Sequence, residues 1–592
     1  MEPGASARAR WDLALAAGVL VAVVGVYWPV AHAGFVWDDK SAFHDVAWLR
    51  YGDAWWGFLL HGLNGWINYF RPLVIALFTA EVRAFDVAPG PMHLVSLVLH
   101  LADTVLVGLL AQRLAALHGR TPRRYTAAAA MLVYGMHPAL VEPVVWISCQ
   151  FELVATLFVL LALYCNLAIA SPLRRAAAVA GCFLLAACAK ESAAALPLLL
   201  LIVDFVADYD DAGLAPTLRR ISRNRRGVYA AVLLAGLAYL AARYAALGHL
   251  LAPAGGAPLP GFARLQKICY AYANYWRIAV LPIGAGPLHV VDDAAFSAIA
   301  PRLFAADLAS VAIAALGIVG LRKGQAWGAA ILAFSAALLP VLHIVPVDFV
   351  ESVYHERYVM LALGVGCAWL PAAIGGFGAR VPLARVVGGV LALAWLVFAV
   401  ADIRVTVPLW SDELALWQWA LREDPDSIIA KDHLLTEYMS RGDEADARAL
   451  ATALVRAGTD CPNCMLNAAY VELMAGDLAL ASQALDRLKS SAAITYDPRL
   501  LHGYILASGE LRAVQNDFAG AEDAYRDAIA TDAYDPMPYT ELALLLAKQA
   551  RYAEARAAAD KALALFAPDE RARRSKVFDA LIPRDAERSA RP

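Results

Sequence analysis

The chain has 592 residues, of which 60% are hydrophobic and only 17% charged, and its mean hydropathy is +0.54. Soluble proteins carry about a quarter charged residues, so a wholly soluble protein is excluded. The net charge of −3 leaves no basic footprint for nucleic acid.

Charge is sparse before about residue 404 and dense after it, which divides the chain into a membrane body, 1–403, and a soluble tail, 404–592. The apolar run Leu13–Val30 follows Arg8 and Arg10 and suits a retained signal anchor with a cytoplasmic N-terminus. Next comes a long outer loop, 34–70, rich in aromatics that favour the headgroup level: Trp37, Trp48, Trp55, Trp56, Trp66 and Tyr69. It begins with two adjacent carboxylates, Asp38 and Asp39, where the chain leaves lipid, and Arg71 returns a fixed cation to the same surface. Charge so close to hydrocarbon calls for a partner, a metal or a task.

Further apolar segments lie near 72–87, 92–116, 125–136, 144–169, 176–189, 192–207, 228–248, 265–283, 305–321, 325–345, 356–374 and 385–403, giving about 11–13 expected crossings. By the positive-inside rule, Arg113 to Arg124, Arg174-Arg175, Arg219 to Arg226, Arg322-Lys323 and Arg380 to Arg385 face the cytoplasm. Loops 34–70, 137–148, 250–262 and 346–356 then face outside. Parity forbids 72–87 and 92–116 from both crossing, so the former, with Glu81 and Arg83, is a re-entrant candidate. Segment 265–283, with Lys267 and Arg277, raises the same question.

On the outer face stand further candidates. His137-Pro138 opens a helical corner with Glu142 near its start, where the helix dipole favours a carboxylate. Glu152 and the pair Lys190-Glu191 come next; the latter two sit between short apolar segments, should face outside or a water-filled cavity, and are open to neutralising one another. His355-Glu356-Arg357 opens a late span, and Arg357 is either a phosphate-binding fork or an interfacial anchor paired with Glu356. Six cysteines, Cys149, Cys165, Cys182, Cys188, Cys269 and Cys367, read as small core residues.

After Val405 the apolar character ends, and Trp410-Ser411-Asp412-Glu413 reads as a helix start capped by Ser411. Gly442-Asp443 and Gly476-Asp477 are 34 residues apart, as are Asn516-Asp517 and Ala550-Arg551; Ala447, Ala481, Ala521 and Ala555 follow at a fixed offset. This is the tetratricopeptide period, a helical-hairpin solenoid with a concave partner surface, and Trp417 to Pro425 reads as the end of a degenerate earlier repeat. Cys461-Pro462-Asn463-Cys464 lacks a second ligand pair for zinc and reads as a local disulfide clip or a redox-labile pair.

Phe35-Val36-Trp37-Asp38-Asp39, Phe70-Arg71-Pro72-Leu73, His93-Leu94-Val95 with His100, His137-Pro138 with Glu142, Ala189-Lys190-Glu191 and Glu356-Arg357-Tyr358 follow in an order that resembles the transmembrane-and-tetratricopeptide O-mannosyltransferases and their bacterial relatives. The resemblance implies an all-α GT-C fold, a polytopic transmembrane bundle with a C-terminal tetratricopeptide solenoid. It implies a multi-pass protein of the bacterial inner membrane whose first loop and tail face the periplasm. It further implies an inverting transferase that moves a sugar, such as mannose, from a polyprenyl-phosphate donor to a protein hydroxyl held through the repeats. By position, Asp38 and Asp39 match the acidic base or metal ligand, and Arg71 and Arg357 the donor-phosphate cations, joined by Lys190. His137, Glu142, Glu152, Glu191 and His355 are secondary site candidates, and a divalent ion on Asp38 or Asp39 is open. Where relatives tend to have Gly-Arg-x-Asp, this chain has Cys149-Gln150-Phe151-Glu152, keeping the acid and losing the base. Two rival readings are a polysaccharide polymerase or ligase fed by lipid-linked sugar, and a non-enzymatic scaffold whose repeats recruit partners.

Overall fold

The computed structural model of the chain describes residues 5–44, 69–117, 125–211, 213–250, 259–298, 300–345, 352–374, 382–566 and 568–582. Trp48, Trp55, Trp56 and Trp66, with their expected interfacial helices, lie outside the described residues, as do parts of the basic loops 118–124 and 375–381. Among the described residues every regular element is a helix, apart from one antiparallel bridge between Val290 and Ser352. The chain forms two compact units, 1–419 and 420–592. The expected boundary at 403/404 falls inside a continuous helix, Pro382–Leu409, because the apolar run does not break there.

In the first unit, seven helices among the described residues are long and apolar enough to cross a membrane, or eight if one bent pair counts as a span. The expected 11–13 crossings included shorter helices: Pro72–Phe85 has 14 residues, Pro172–Ala187 has 16 and Leu196–Ala207 has 12. At 1.5 Å per residue these fall short of a hydrocarbon core of about 30 Å. Gly261–Val280 is long enough, but Arg264, Lys267 and Arg277 punctuate it. The bent pair, Thr126–Gly135 and Pro138–Val145, turns by 61° at His137-Pro138, since proline cannot continue the hydrogen-bond ladder of the helix before it.

One apolar core runs through this unit, from Val107, Leu110 and Leu114 through Leu160, Leu199 and Leu200 to Phe334, Met360 and Trp369. Small residues permit the closest helix approach. Gly328 stands so near Gly320 that an added Cβ would lie 2.3 Å from the Gly320 carbonyl carbon, so the pair joins Pro301–Arg322 to Ala326–Leu338 as only glycine can.

The second unit is an array of helical hairpins from Ile428–Arg441 to Pro568–Leu581. Gly442, Gly476, Asn516 and Ala550 all take left-handed backbone at the hairpin turns, with φ of 72°, 77°, 65° and 60°. The offset alanines, Ala447, Ala481, Ala521 and Ala555, are all buried where paired helices meet. The spacing from Gly476 to Asn516 exceeds the repeat because a short extra helix, Ala493–Tyr496, is inserted.

Candidate functional site

The acidic loop is built by the break after the first span. Ala5–Tyr27 ends in a 3-10 turn, Trp28–His32, and the chain then extends to Trp37. Trp37 has φ +53°, unusual for a bulky residue, and this sharp reversal starts a short helix, Asp38–His44, with both acids in its first turn.

Asp39 is fully buried. Its Oδ1 accepts from the Ser148 backbone N–H at 2.8 Å and the Ser148 hydroxyl at 2.6 Å, and its Oδ2 accepts from the Ile147 N–H at 3.3 Å. It therefore pins the loop to the turn that opens the helix Gln150–Ala168. Burial pushes its carboxyl up to about 7, against the lowering effect of the Ser148 bonds. Asp38 is only partly buried; burial raises its carboxyl too, Arg357 pulls it back and Glu413 adds to the rise.

Arg357 pairs with Glu142 through a side-chain ion pair and through its backbone N–H, which donates to Glu142 Oε2 at 2.8 Å. Its guanidinium lies 5.0 Å from the Trp146 ring centre, 5.9 Å from Trp37 and 4.7 Å from Tyr358. Glu356, the alternative partner for Arg357, instead bonds His289 at 2.8 Å. His355 is buried, 3.9 Å from Glu142 and 6.4 Å from the Trp37 ring.

Lys190 and Glu191 do not neutralise one another. Lys190 is extended, so neighbouring side chains leave on opposite sides. Lys190 pairs with Glu152 and lies 4.7 Å from the Tyr358 ring, whereas Glu191 takes Arg71 at 2.8 Å and Arg243 at 3.0 Å. Burial, then the positive charges of Arg71 and Arg357, push the Lys190 ammonium well below its ordinary value. Burial works against charge on Arg71 and Glu191 alike, yet their mutual attraction prevails, raising the guanidinium and lowering the carboxyl. Tyr358 thus stands between Arg357 and Lys190, and Phe151 lies 4.8 Å from Arg71.

The structure therefore brings Asp38, Asp39, Arg357, Glu142, His355, Lys190, Glu152, Glu191 and Arg71 into one connected region. His137 plays a backbone role: its Nδ1 accepts from the Ala139 N–H at 3.3 Å and its Nε2 lies 3.0 Å from the Ala279 carbonyl. Gln150, in the stretch that departs from the family pattern, is buried and bonds Glu81 and Ser96 rather than the acidic loop.

Sequence reasoning misses the segment that covers Trp37. Glu413 accepts the Trp37 backbone N–H at 2.6 Å and the Trp417 indole N–H at 2.5 Å. The Gly34 N–H donates to the Ser411 carbonyl at 2.9 Å. Trp37 stacks on Trp146 at 4.8 Å and packs against Trp410 and Trp417. Trp417 thus belongs to the first unit rather than to a degenerate repeat. Asp412, not Ser411, caps the helix Glu413–Glu423, accepting from Ala415, while the Ser411 hydroxyl closes the preceding helix on Val407. A tryptophan-rich helix start directly after the last span was the available signal.

Both Asp39 oxygens are engaged by protein donors, which leaves Asp39 poorly placed to hold a divalent ion.

No protein-family model matches the chain. A stretch of 160 residues is 31% identical to Protein O-mannosyl-transferase Tmtc1 of Drosophila melanogaster, covering 26% of this chain and 18% of that protein. The chain is therefore similar, over about a quarter of its length, to a protein named as a glycosyltransferase.

Proposed function

We propose that the chain is a membrane glycosyltransferase that moves a sugar from a polyprenyl-phosphate donor to a protein hydroxyl at the non-cytoplasmic face. The observation that carries this reading is the placement of a part-open carboxylate, Asp38, beside Arg357, with Lys190 and Arg71 in the same region. A hydroxyl is a weak nucleophile until a positioned base takes its proton, and a raised carboxyl pKa favours that transfer. Asp38 is the better base, because Asp39 spends both oxygens holding the loop.

As the hydroxyl oxygen attacks the anomeric carbon, the carbon–oxygen bond to phosphate breaks and negative charge gathers on the leaving phosphate. Arg357 and Arg71 offer planar forks for those oxygens. Lys190, whose burial weakens its charge, gains a full positive charge when a phosphate approaches. Displacement from the opposite face inverts the anomeric centre. The helical hairpins of the second unit, as tetratricopeptide repeats, supply the groove for the acceptor.

Asp38→Asn should lower transfer by about 10²–10⁴ while leaving expression and membrane insertion intact. Asp39→Asn should lower transfer and also loosen the loop. Transfer from lipid-linked sugar to protein, measured in membranes carrying each variant, tests the reading. Near wild-type transfer in the Asp38→Asn/Asp39→Asn double variant would end it in favour of the scaffold, and loss of glycan extension without loss of protein glycosylation would favour the polymerase.

A further inference from the structure

The second unit holds a cysteine pair that the transferase reading does not use. A disulfide joins Cys461 and Cys464, three residues apart at the start of the helix Pro462–Met474. A bridge across two intervening residues removes little chain entropy from the unfolded state, so it is a poor staple for the fold. Its surroundings suit chemistry better. Cys461 is the N-cap of the helix: its Sγ accepts the Cys464 backbone N–H at 3.1 Å. A sulfur there is favoured as thiolate by the free N–H groups and dipole of the helix end.

The two sulfurs also differ in access. Cys461 is 7% exposed and lines a surface cleft of about 780 Å³, whereas Cys464 is 0% exposed. The helix Ile428–Arg441 contributes a third group, Asp432, whose carboxyl oxygen lies within 4.8 Å of both sulfurs. The Asn467 amide nitrogen also donates to its Oδ1 at 3.4 Å. Burial pushes the Asp432 carboxyl up to about 6, against the lowering effect of Asn467. The ionisable groups that line the cleft beside Cys461 are Asp460, Asp486 and Arg487.

We propose that Cys461 and Cys464 form a thiol–disulfide exchange site, with Cys461 the attacked sulfur and Asp432 the proton carrier for buried Cys464. A thiolate from a dithiol enters the cleft and attacks Cys461 Sγ. The Cys461–Cys464 bond breaks, a mixed disulfide forms, and the departing Cys464 sulfur takes the proton of Asp432. The second thiol of the partner loses its proton to water and attacks the partner's other sulfur in the mixed disulfide, closing the partner's disulfide and releasing Cys461 as a thiolate at the helix end. The partner dithiol is oxidised by two electrons and the cysteine pair is reduced by two. In reverse, reduced Cys461 attacks a partner disulfide and Asp432 takes the Cys464 proton, so that Cys464 can resolve the intermediate.

The test uses the full-length protein in detergent, with dithiothreitol as the dithiol and mass-resolved alkylation as the readout. The bond should open without denaturant, Cys461 should be alkylated before Cys464, and Cys464→Ala should trap a mixed disulfide on Cys461 with oxidised glutathione. Asp432→Asn should slow exchange by roughly tenfold or more near neutral pH, with Asp432→Glu recovering part of the rate. Should Asp432→Asn fold poorly, Asn467→Ala serves instead: losing that partner should move the carboxyl inflection of the pH–rate profile upward. Opening only under denaturing conditions, or exchange in Asp432→Asn at the wild-type rate with an unchanged pH profile, overturns the proposal and leaves a structural bridge.

Discussion

The two units use their carboxylates differently. In the second unit several acids cap their own helix, Asp477 accepting from Leu480, Asp517 from Gly520 and Asp535 from Met537, and remote partners such as Arg551 for Glu522 come from the neighbouring helices of the array, 29 residues away. In the first unit the partners are remote: Glu142 with Arg357 across 215 residues, Asp39 with Ser148 across 109, and Glu413 with Trp37 across 376. Water can replace a lost cap on an exposed hairpin. It cannot replace a lost partner inside a bundle whose surroundings are apolar, so the first unit should respond far more sharply to the removal of one group.

The largest effect should come from Arg357→Ala. It leaves Glu142 buried without its cation, and breaking a buried pair costs about 3–5 kcal/mol. The heat-induced aggregation midpoint in detergent should fall steeply and transfer should vanish. Replacing both partners with uncharged residues, Glu142→Gln with Arg357→Met, should restore much of the midpoint but no transfer. A single variant as stable as wild type would mean that the pair is solvated, and the contrast between the units would fail.

These distances explain what was legible. The hairpin array could be read because its turns recur on a fixed period and its caps are local. Asp38, Asp39 and Arg71 stood out because charge beside an apolar run is conspicuous. The partners of Lys190 and Glu191 did not, because adjacency in sequence suggested a pair that extended backbone forbids. Glu356 looked the natural partner for Arg357 for the same reason, yet His289 takes it. Trp146, Ser148 and Arg243 carry no local mark at all, and Glu413 is marked only as part of a helix start; only folding brings them to the loop. Apolar composition registers short helices and full-length ones alike, which is why seven or eight of the expected crossings, among the described residues, are helices long enough to span.

A second prediction separates the two acids by pH. In the folded chain Asp39 titrates near 7, well above the ordinary carboxyl range. As pH rises from that range towards 7, the unfolded chain loses this proton first, so the folded chain binds more protons and stability falls. Above about 7 the loss is complete, and below the ordinary range it is absent. The wild-type thermal midpoint should therefore decline between mildly acidic and neutral pH, and Asp39→Asn should flatten that decline. An equal slope in both proteins would place the titration elsewhere.

Glu413→Gln is expected to act more gently. The amide keeps one acceptor for the Trp37 and Trp417 N–H groups but turns its NH₂ towards the other, a mismatch of about 1–3 kcal/mol. Because Trp37 directly precedes Asp38, transfer should fall more than stability does, with the loss in kcat rather than in donor KM. A change confined to donor KM would show that Glu413 shapes binding and not the aim of the base.

The smallest effect belongs to the second unit, where the same turn is made by different residues. Ala550 holds φ +60° at the position that Gly442 and Gly476 fill with φ +72° and +77°. Left-handed backbone costs a residue with a Cβ about 1–2 kcal/mol, while glycine gives back about 0.4–1 kcal/mol through the greater freedom of the unfolded chain. Ala550→Gly should thus stabilise its hairpin by roughly 0.5–1 kcal/mol, the difference of those terms. Gly476→Ala should destabilise its own by a similar amount, although an added Cβ there meets nothing within 4 Å, so that backbone strain alone would be at work. Hydrogen exchange in the helices Tyr552–Leu565 and Leu478–Ser490 of the intact protein reads each hairpin separately. Opposite signs at equivalent turns would show that the array tolerates local strain repeat by repeat. Equal destabilisation by both changes would mean that Ala550 is held by packing, and that the second unit is less local than its period implies.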